Sequence, residues 1–389
     1  MLADGETEWS TTKLSMLAFR LYSMAIIAGS QTTVRTTLPE GFRPFPASGD
    51  GASQSVGPDR GATGGSPDWT IAMREAVRDP AELCRLVGLP ELASGGLAGH
   101  RDFPVFVPRP FLQRIKPGDP NDPLLRQVLP VREESESSTA DRIDPVGDLE
   151  SEVLPGLLHK YTGRVLLVTT GACAIHCRYC FRRHFPYAGR PRGIEAWELA
   201  LEHIAGDASI SEVILSGGDP LTIVDGQLAM LAERLAAIPH VRRLRVHTRL
   251  PIMIPSRVND ELLAWLTGTR LTPVIVIHAN HAQELDEQVA EALRKLSQAG
   301  VLLLNQTVLL RGVNDSVETL AELSERLIEL RVTPYYLHQL DRVIGAAHFE
   351  VPLSEGQALI AELRRRLPGY AVPRYVQELA GESHKRVWA

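Results

Sequence analysis

The chain of 389 residues is poor in cysteine, in long runs of like charge and in long apolar stretches, and each shortage excludes something. Four cysteines, three of them in one loop and Cys84 far upstream, are too few and too unevenly placed for a disulfide framework. They point instead to a metal arrangement in a reducing compartment, and so to a cytoplasmic protein. No long Lys/Arg block offers itself to phosphates and the net charge is -6, which argues against nucleic acid as a partner. The apolar stretch Leu14 to Ala28 is broken by Arg20, follows the acidic Asp4, Glu6 and Glu8, and is too short to span a bilayer. Neither a signal peptide nor a membrane partner is expected. No general-base dyad stands out either, so the chemistry has to come from elsewhere.

What is present is a globular composition, with 44% hydrophobic residues, arranged unevenly. Residues 41–67 are mostly Gly, Ser, Pro and Ala, which bury too little surface to order themselves. Residues 1–67 are therefore expected to be disordered or to lie upstream of the true start. Asp68 is a cap for a helix carrying Ile71, Met73 and Val77. Asp79-Pro80-Ala81-Glu82 is a second start signal, with Gly88 as its stop and Cys84 as a core residue. Pro104 to Pro130 should wrap as loops and short helices, and Glu133 to Ser138 reads as a solvated acidic link. Residues 68–150 thus form an N-terminal helical, wrapping module.

From Arg164 the pattern repeats. β-rich runs at Val165–Thr170, Glu212–Ser216, Leu244–Thr248, Val274–His278, Leu302–Val308 and Val332–Leu337 alternate with helical stripes. The stripes are Ile194/Trp197/Leu201/Ile204, Leu228/Leu231/Leu235/Ile238, Val289/Leu293/Leu296 and Leu320/Leu323/Leu327/Leu330. Strands alternating with helices predict parallel pairing by right-handed crossovers, hence an α/β fold: a partial (β/α)6 barrel over 151–345, open at one side, followed by a C-terminal segment over 346–389. In such a barrel the chemistry gathers at the C-terminal strand ends.

The first of those ends carries Cys173, Cys177 and Cys180, a C-x3-C-x2-C loop with Tyr179 before its last thiol. Three thiolates can hold three irons of a 4Fe-4S cubane and leave the fourth open, whereas a structural site wants a fourth protein ligand. Zinc held by the three cysteines and His176 is the alternative. The spacing and the aromatic resemble the radical S-adenosylmethionine (radical SAM) enzymes, in which the open iron binds S-adenosylmethionine. The remaining ends are polar in the same way: Ser216, Gly217, Gly218 and Asp219; His247 and Arg249; His278 and Asn280; Asn305 and Gln306; then His338 and Asp341. Together they form one rim of hydrogen-bonding groups for the cofactor, and the Gly217-Gly218 backbone has no side chain to hinder close approach to the methionine amino group.

Four strings make the resemblance narrower: Asp119–Leu129, Pro155–Tyr161, Cys177–Tyr187 and Pro334–His338. From about Trp69 to Lys385 the chain resembles the lysine 2,3-aminomutases, most of all the branch that makes (R)-β-lysine for modifying translation elongation factor P. The resemblance implies an isomerase that converts L-lysine to β-lysine. It also implies pyridoxal 5'-phosphate as a second cofactor, held covalently by Lys385, which follows Gly381-Glu382-Ser383-His384 where the free-lysine enzymes have a glycine-rich approach. By the same resemblance Lys160 and Arg164 hold the cofactor phosphate and Arg182 clamps the substrate α-carboxylate. Asp341 and Glu378 then flank the ε-ammonium, a pair that would repel a glutamate side chain. The partners implied are an electron donor such as flavodoxin or ferredoxin, and elongation factor P with its ligase. Three other functions remain open: a free-lysine 2,3-aminomutase, a radical SAM enzyme without pyridoxal phosphate acting on RNA or a peptide, and a zinc-stabilised binding module for elongation factor P.

Overall fold

A computed structural model describes residues 68–94, 103–136, 138–191 and 193–389, all within one compact unit. The expected disordered extension over 1–67 lies outside the described residues. Helix α1 (Asp68–Arg74) and helix α2 (Pro80–Leu86) open the chain. Asp79 caps α2 by accepting from the Ala81 N–H at 3.0 Å, Pro80 stands where no N–H is needed, and Gly88 leaves the helix at φ 74°. Cys84 is fully buried in the core, as its apolar neighbours suggested. Val77 does not continue α1; its N–H donates to the Val107 carbonyl at 2.8 Å in an antiparallel bridge that ties the wrapping segment to itself. Short helices α3 (Arg109–Leu112) and α4 (Pro123–Arg126) follow, and Asp122 caps α4 through the N–H groups of Leu124 and Leu125.

One ten-stranded sheet forms the body. β1 (Glu152–Leu154) and β2 (Leu157–Tyr161) are antiparallel to each other, and β2 is antiparallel to β3 (Arg164–Thr170). From β3 the pairing is parallel through β4 (Glu212–Gly217), β5 (Arg243–Thr248), β6 (Thr272–Ile277), β7 (Leu302–Val308), β8 (Thr333–His338) and β9 (Arg374–Gln377). The six expected strands are all present, and β9 adds a seventh in parallel. β10 (Arg386–Val387) then runs antiparallel to β9. β1 and β10 are the two edges and do not pair, which leaves the barrel open at that side.

The crossovers bury the stripes read from sequence: Leu228, Leu231 and Leu235 on α5 (Asp225–Ala236), Val289, Leu293 and Leu296 on α7 (Glu287–Gln298), and Leu320, Leu323 and Leu327 on α8 (Val317–Glu329). Between β5 and β6 stands α6 (Asp260–Thr267), whose stripe was not foreseen although Asn259 caps it by accepting from the Leu262 N–H at 2.9 Å. α9 (Leu353–Arg366) carries the chain from β8 to β9, so residues 346–389 are a further barrel unit and an edge strand, more than a short appendage. No helix among the described residues is long and apolar enough to cross a membrane.

Candidate active site

The cysteine loop leaves β3 after Thr170 and is clamped against the end of β4. Gly218 N–H donates to the Thr170 carbonyl and Asp219 N–H to the Ala172 carbonyl, each at 2.7 Å. A Cβ on Gly218 would collide with the Ala172 carbonyl, and Gly217 adopts φ +117°, so both positions require glycine. The missing side chains thereby admit the backbone of residues 170–172. Tyr187 completes the clamp. Its hydroxyl donates to the Gly217 carbonyl at 2.9 Å, and its ring fills the space beside Gly171.

Behind the loop, Glu134 corrects a second expectation. Far from being part of a solvated link, its side chain is fully buried and accepts from Arg178 Nε at 2.8 Å and Arg183 Nη2 at 2.9 Å. One carboxylate thereby pairs with two guanidiniums, those of Arg178 and Arg183, on either side of Cys180 in the sequence. The His176 ring stacks on Phe103 at 4.9 Å and its Nδ1 lies 2.8 Å from the Pro104 carbonyl.

Burial raises the Cys173 thiol well above its ordinary pKa, and the neighbouring Cys180, Asp219 and Cys177 add to the effect. Burial likewise pushes Cys180 up to about 11, with Cys177 contributing. The three thiols are thus within electrostatic reach of one another. Among the described residues, however, no three Cys, His, Asp or Glu side chains converge on a point that one ion could occupy. A cubane suits this spread, because each thiolate binds a different iron, and its positive irons supply the charge that buried thiolates need.

Four rim residues, Asp219, Asn280, Asn305 and Arg249, are held in place by hydrogen bonds that tie the strand ends together. Asp219 is buried and accepts from Thr248 Oγ1 and Arg249 N–H, both at 2.7 Å, and from the N–H groups of Leu221 and Leu250, both at 3.1 Å. It ties the end of β4 to β5. Asn280 donates from its side-chain amide to Gln127 Oε1 at 3.0 Å and to the Tyr179 hydroxyl at 2.6 Å, while its Oδ1 accepts from Val308 N–H at 2.9 Å. Asn305 brackets the Ala279 peptide, accepting from its N–H at 2.8 Å and donating to its carbonyl at 3.1 Å. Arg249 reaches Cys177, Gln127 and Glu284.

Inside the barrel lies a cavity of about 500 Å³, a volume in the usual range for a small-molecule site. Lys160, Arg164, Arg182, Ser216, His247, His278, Gln306, Asp341, Glu378 and Lys385 all line it. Phe181 and Arg182, the two residues directly after Cys180, line the same cavity as Lys385. A chain of ion pairs connects the charged members. Arg182 Nε meets Asp148 Oδ2 at 2.7 Å, Lys160 Nζ bridges Asp148 Oδ1 at 2.6 Å and Glu378 Oε1 at 2.7 Å, and Glu378 holds Lys385. Asp148, which sequence reasoning missed, is the hinge of this chain and carried no motif to betray it.

Electrostatics divides the carboxylates. Burial opposes the charged form of Glu378, but Lys385 and Lys160 outweigh it and hold its carboxyl far below the usual range. Asp341 has burial and the Glu378 charge against it and is pushed up to about 7. Burial lowers His278 and His338 to about 3 and His247 well below its ordinary value, so these three are neutral. Nε2 of His247 and Nε2 of His338 are buried without a partner, two polar atoms in a cavity wall that a polar ligand would satisfy. Arg164 stacks over Tyr161 at 4.6 Å and has no carboxylate partner among the described residues, so its charge is available to an anion.

A family model described as the radical SAM superfamily matches residues 167–324, the span from β3 into α8. With three cysteines at the end of the first parallel strand, the chain is a radical SAM protein, and that class implies a 4Fe-4S cluster and S-adenosylmethionine. L-lysine 2,3-aminomutase of Escherichia coli strain K12 is 46% identical over 320 residues, covering 82% of this chain and 93% of that one. The enzyme of the same name from Haemophilus influenzae is 43% identical, covering 83% and 96%, and that from Clostridium subterminale is 36% identical, covering 82% and 77%. The chain belongs to the lysine 2,3-aminomutase family of isomerases.

Proposed function

We propose that this enzyme converts L-lysine to (R)-β-lysine with pyridoxal phosphate held by Lys385, and that the product serves the modification of elongation factor P. The observation that carries the reading is the chain of ion pairs from Arg182 through Asp148, Lys160 and Glu378 to Lys385. It gathers a guanidinium for a carboxylate, an amine able to hold an aldehyde, and carboxylates for a distal ammonium in one enclosed space. Lysine has those complementary groups. The string Gly381–Lys385 supports the elongation factor P branch.

When bound, the cluster and S-adenosylmethionine supply a carbon radical and pyridoxal phosphate supplies a carrier for the migrating nitrogen. The chain's own work is binding and exclusion. Arg164 and Lys160 offer positive charge for the phosphate, and the unpartnered Nε2 atoms of His247 and His338 offer polar contacts deeper in the wall. Arg182, preset by Asp148 and donating to Ser216 Oγ at 3.1 Å, receives the substrate carboxylate. Glu378 holds Lys385 by an ion pair, which a substrate ammonium competes for. Asp341 takes up the same ammonium once it is ionised. The barrel wall keeps solvent and stray C–H groups from a radical that would attack either.

Anaerobic reconstitution with iron, sulfide, pyridoxal phosphate, dithionite and S-adenosylmethionine, followed by chromatography of the products from L-lysine, tests the activity. β-Lysine is expected, together with a borohydride-trapped adduct on Lys385. A fully loaded cluster that yields no β-lysine sinks the reading. For the elongation factor P role, cells lacking the chain should lose the β-lysyl mass from that factor.

A further inference from the structure

Beneath the cysteine loop lies a buried polar network that the cavity does not use. Arg249, 5% exposed, follows β5 with its backbone N–H fixed on Asp219. Its guanidinium donates from Nε to the His278 carbonyl at 3.0 Å, and from Nη2 to Gln127 Oε1 at 2.6 Å and Glu284 Oε2 at 2.8 Å. These partners leave Nη1 to donate to Cys177 Sγ at 2.8 Å. Gln127 is itself locked, donating to Glu284 Oε1 and to the Pro123 carbonyl, both at 3.1 Å.

We propose that Arg249 raises the reduction potential of the cluster bound through Cys177 and that Glu284 lowers it. The inference rests on the cluster assignment and not on the substrate. Taking up one electron adds a negative charge to the cluster, and a cation donating to one of its sulfurs favours the more negative state. Glu284 is wholly buried and lies against the opposite nitrogen of the same guanidinium, so it opposes that effect from farther off. In a water-poor site both effects are only weakly screened, and the nearer charge dominates. Arg182 and Arg183 are also close to the thiols, but among the described contacts neither donates to a sulfur, as Arg249 does to Cys177. A guanidinium that merely ties strand ends together would leave the potential where it is.

The test is an EPR-monitored redox titration of the full chain, reconstituted with iron and sulfide and free of S-adenosylmethionine and lysine. Parent, R249Q, R249K and E284Q are compared after iron and sulfide have been counted. R249Q should shift the oxidised-to-reduced ratio at fixed potential at least tenfold towards oxidised, about 59 mV downward for one electron. R249K, which keeps the charge and loses the fork, should shift less, and E284Q should shift upward. Full clusters in R249Q and E284Q that titrate at the parental potential, or that move in the same direction, overturn the proposal. If R249Q fails to assemble a cluster, E284Q decides alone, because Arg249 there keeps its His278 and Gln127 partners: an upward shift supports the proposal and any other result overturns it. A parent chain that assembles no cluster strikes instead at the three-cysteine assignment.

Discussion

Gly218 and Asp341 show how much a single position carries. A methyl group at 218 has no room beside the Ala172 carbonyl, and the segment that must yield is the one bearing Cys173. G218A should therefore fold, since the barrel core does not depend on it, yet lose at least half of its iron on reconstitution as counted by iron and sulfide assay. Retention of full iron would mean that the loop can move without cost. Asp341 makes a prediction with a sign. Its carboxyl ionises near 4 in an unfolded chain and at about 7 in the fold, so between those values the folded state holds the extra proton and stability falls as pH rises. Below the window there is no difference, and above it the loss is complete. D341N without cofactors should match the parent's melting temperature near pH 4 and exceed it at pH 8. The same substitution should remove the pH dependence of lysine binding near neutrality, because only the ionised carboxylate attracts the ammonium.

At the scale of elements, the short helical turn Arg132–Ser135 illustrates what sequence reading sees and what it misses. The strands from β3 to β8 were legible because β-branched and apolar residues fill them, and α5, α7 and α8 because their stripes keep helical spacing. β9 has four residues, too few for a pattern to rise above its surroundings, and α6 lies in a proline-punctuated stretch whose cap was there to be read. The cysteines declared themselves by spacing alone. Supporting residues could not, since a partner's distance along the chain leaves no local trace: Glu134 meets Arg178 across 44 positions, Asp148 meets Arg182 across 34, and Gln127 meets Arg249 across 122. A local window sees an acidic run at Glu133–Ser138 and assigns it to solvent. Removing the Glu134 carboxylate leaves two buried guanidiniums uncompensated, which costs roughly 3–5 kcal/mol. E134A should lower the thermal midpoint markedly, far more than a surface Glu→Ala, and E134Q should recover only part of the loss. If both variants melt with the parent, the Arg178 and Arg183 contacts are not structural.

For the whole molecule the decisive feature is how a barrel open between β1 and β10 closes its cavity with its own tail. After β9 the chain runs past Glu378, returns to place Lys385 in the cavity, and is then secured by four residues. Arg386 and Val387 pair with Gln377 and Val376, Trp388 N–H donates to the Tyr375 carbonyl at 2.8 Å, and the Ala389 carbonyl accepts from Tyr375 N–H at 2.9 Å. Trp388 and Ala389 also pack against the cluster of Leu337, Ile360, Leu363 and Tyr375. The tail is therefore a strap whose contacts lie outside the cavity while its lysine lies inside. Deleting residues 386–389 removes the strap without touching the cysteine loop. The lost edge pairing and the exposed Trp388 site together amount to on the order of 2–3 kcal/mol, enough to loosen the tail but not to unfold a barrel whose main core is separate. The truncated chain should assemble its cluster with the parental EPR signal, yet bind pyridoxal phosphate at least tenfold more weakly, read from visible absorbance and from the yield of borohydride-trapped Lys385. Parental yields of both would show that Lys385 needs no strap, and loss of both would show that the tail supports the cysteine side as well. W388A, which keeps β10 and removes only the anchor in the core, should fall between the parent and the truncation, because the backbone pairing of Arg386 and Val387 still limits where Lys385 can go.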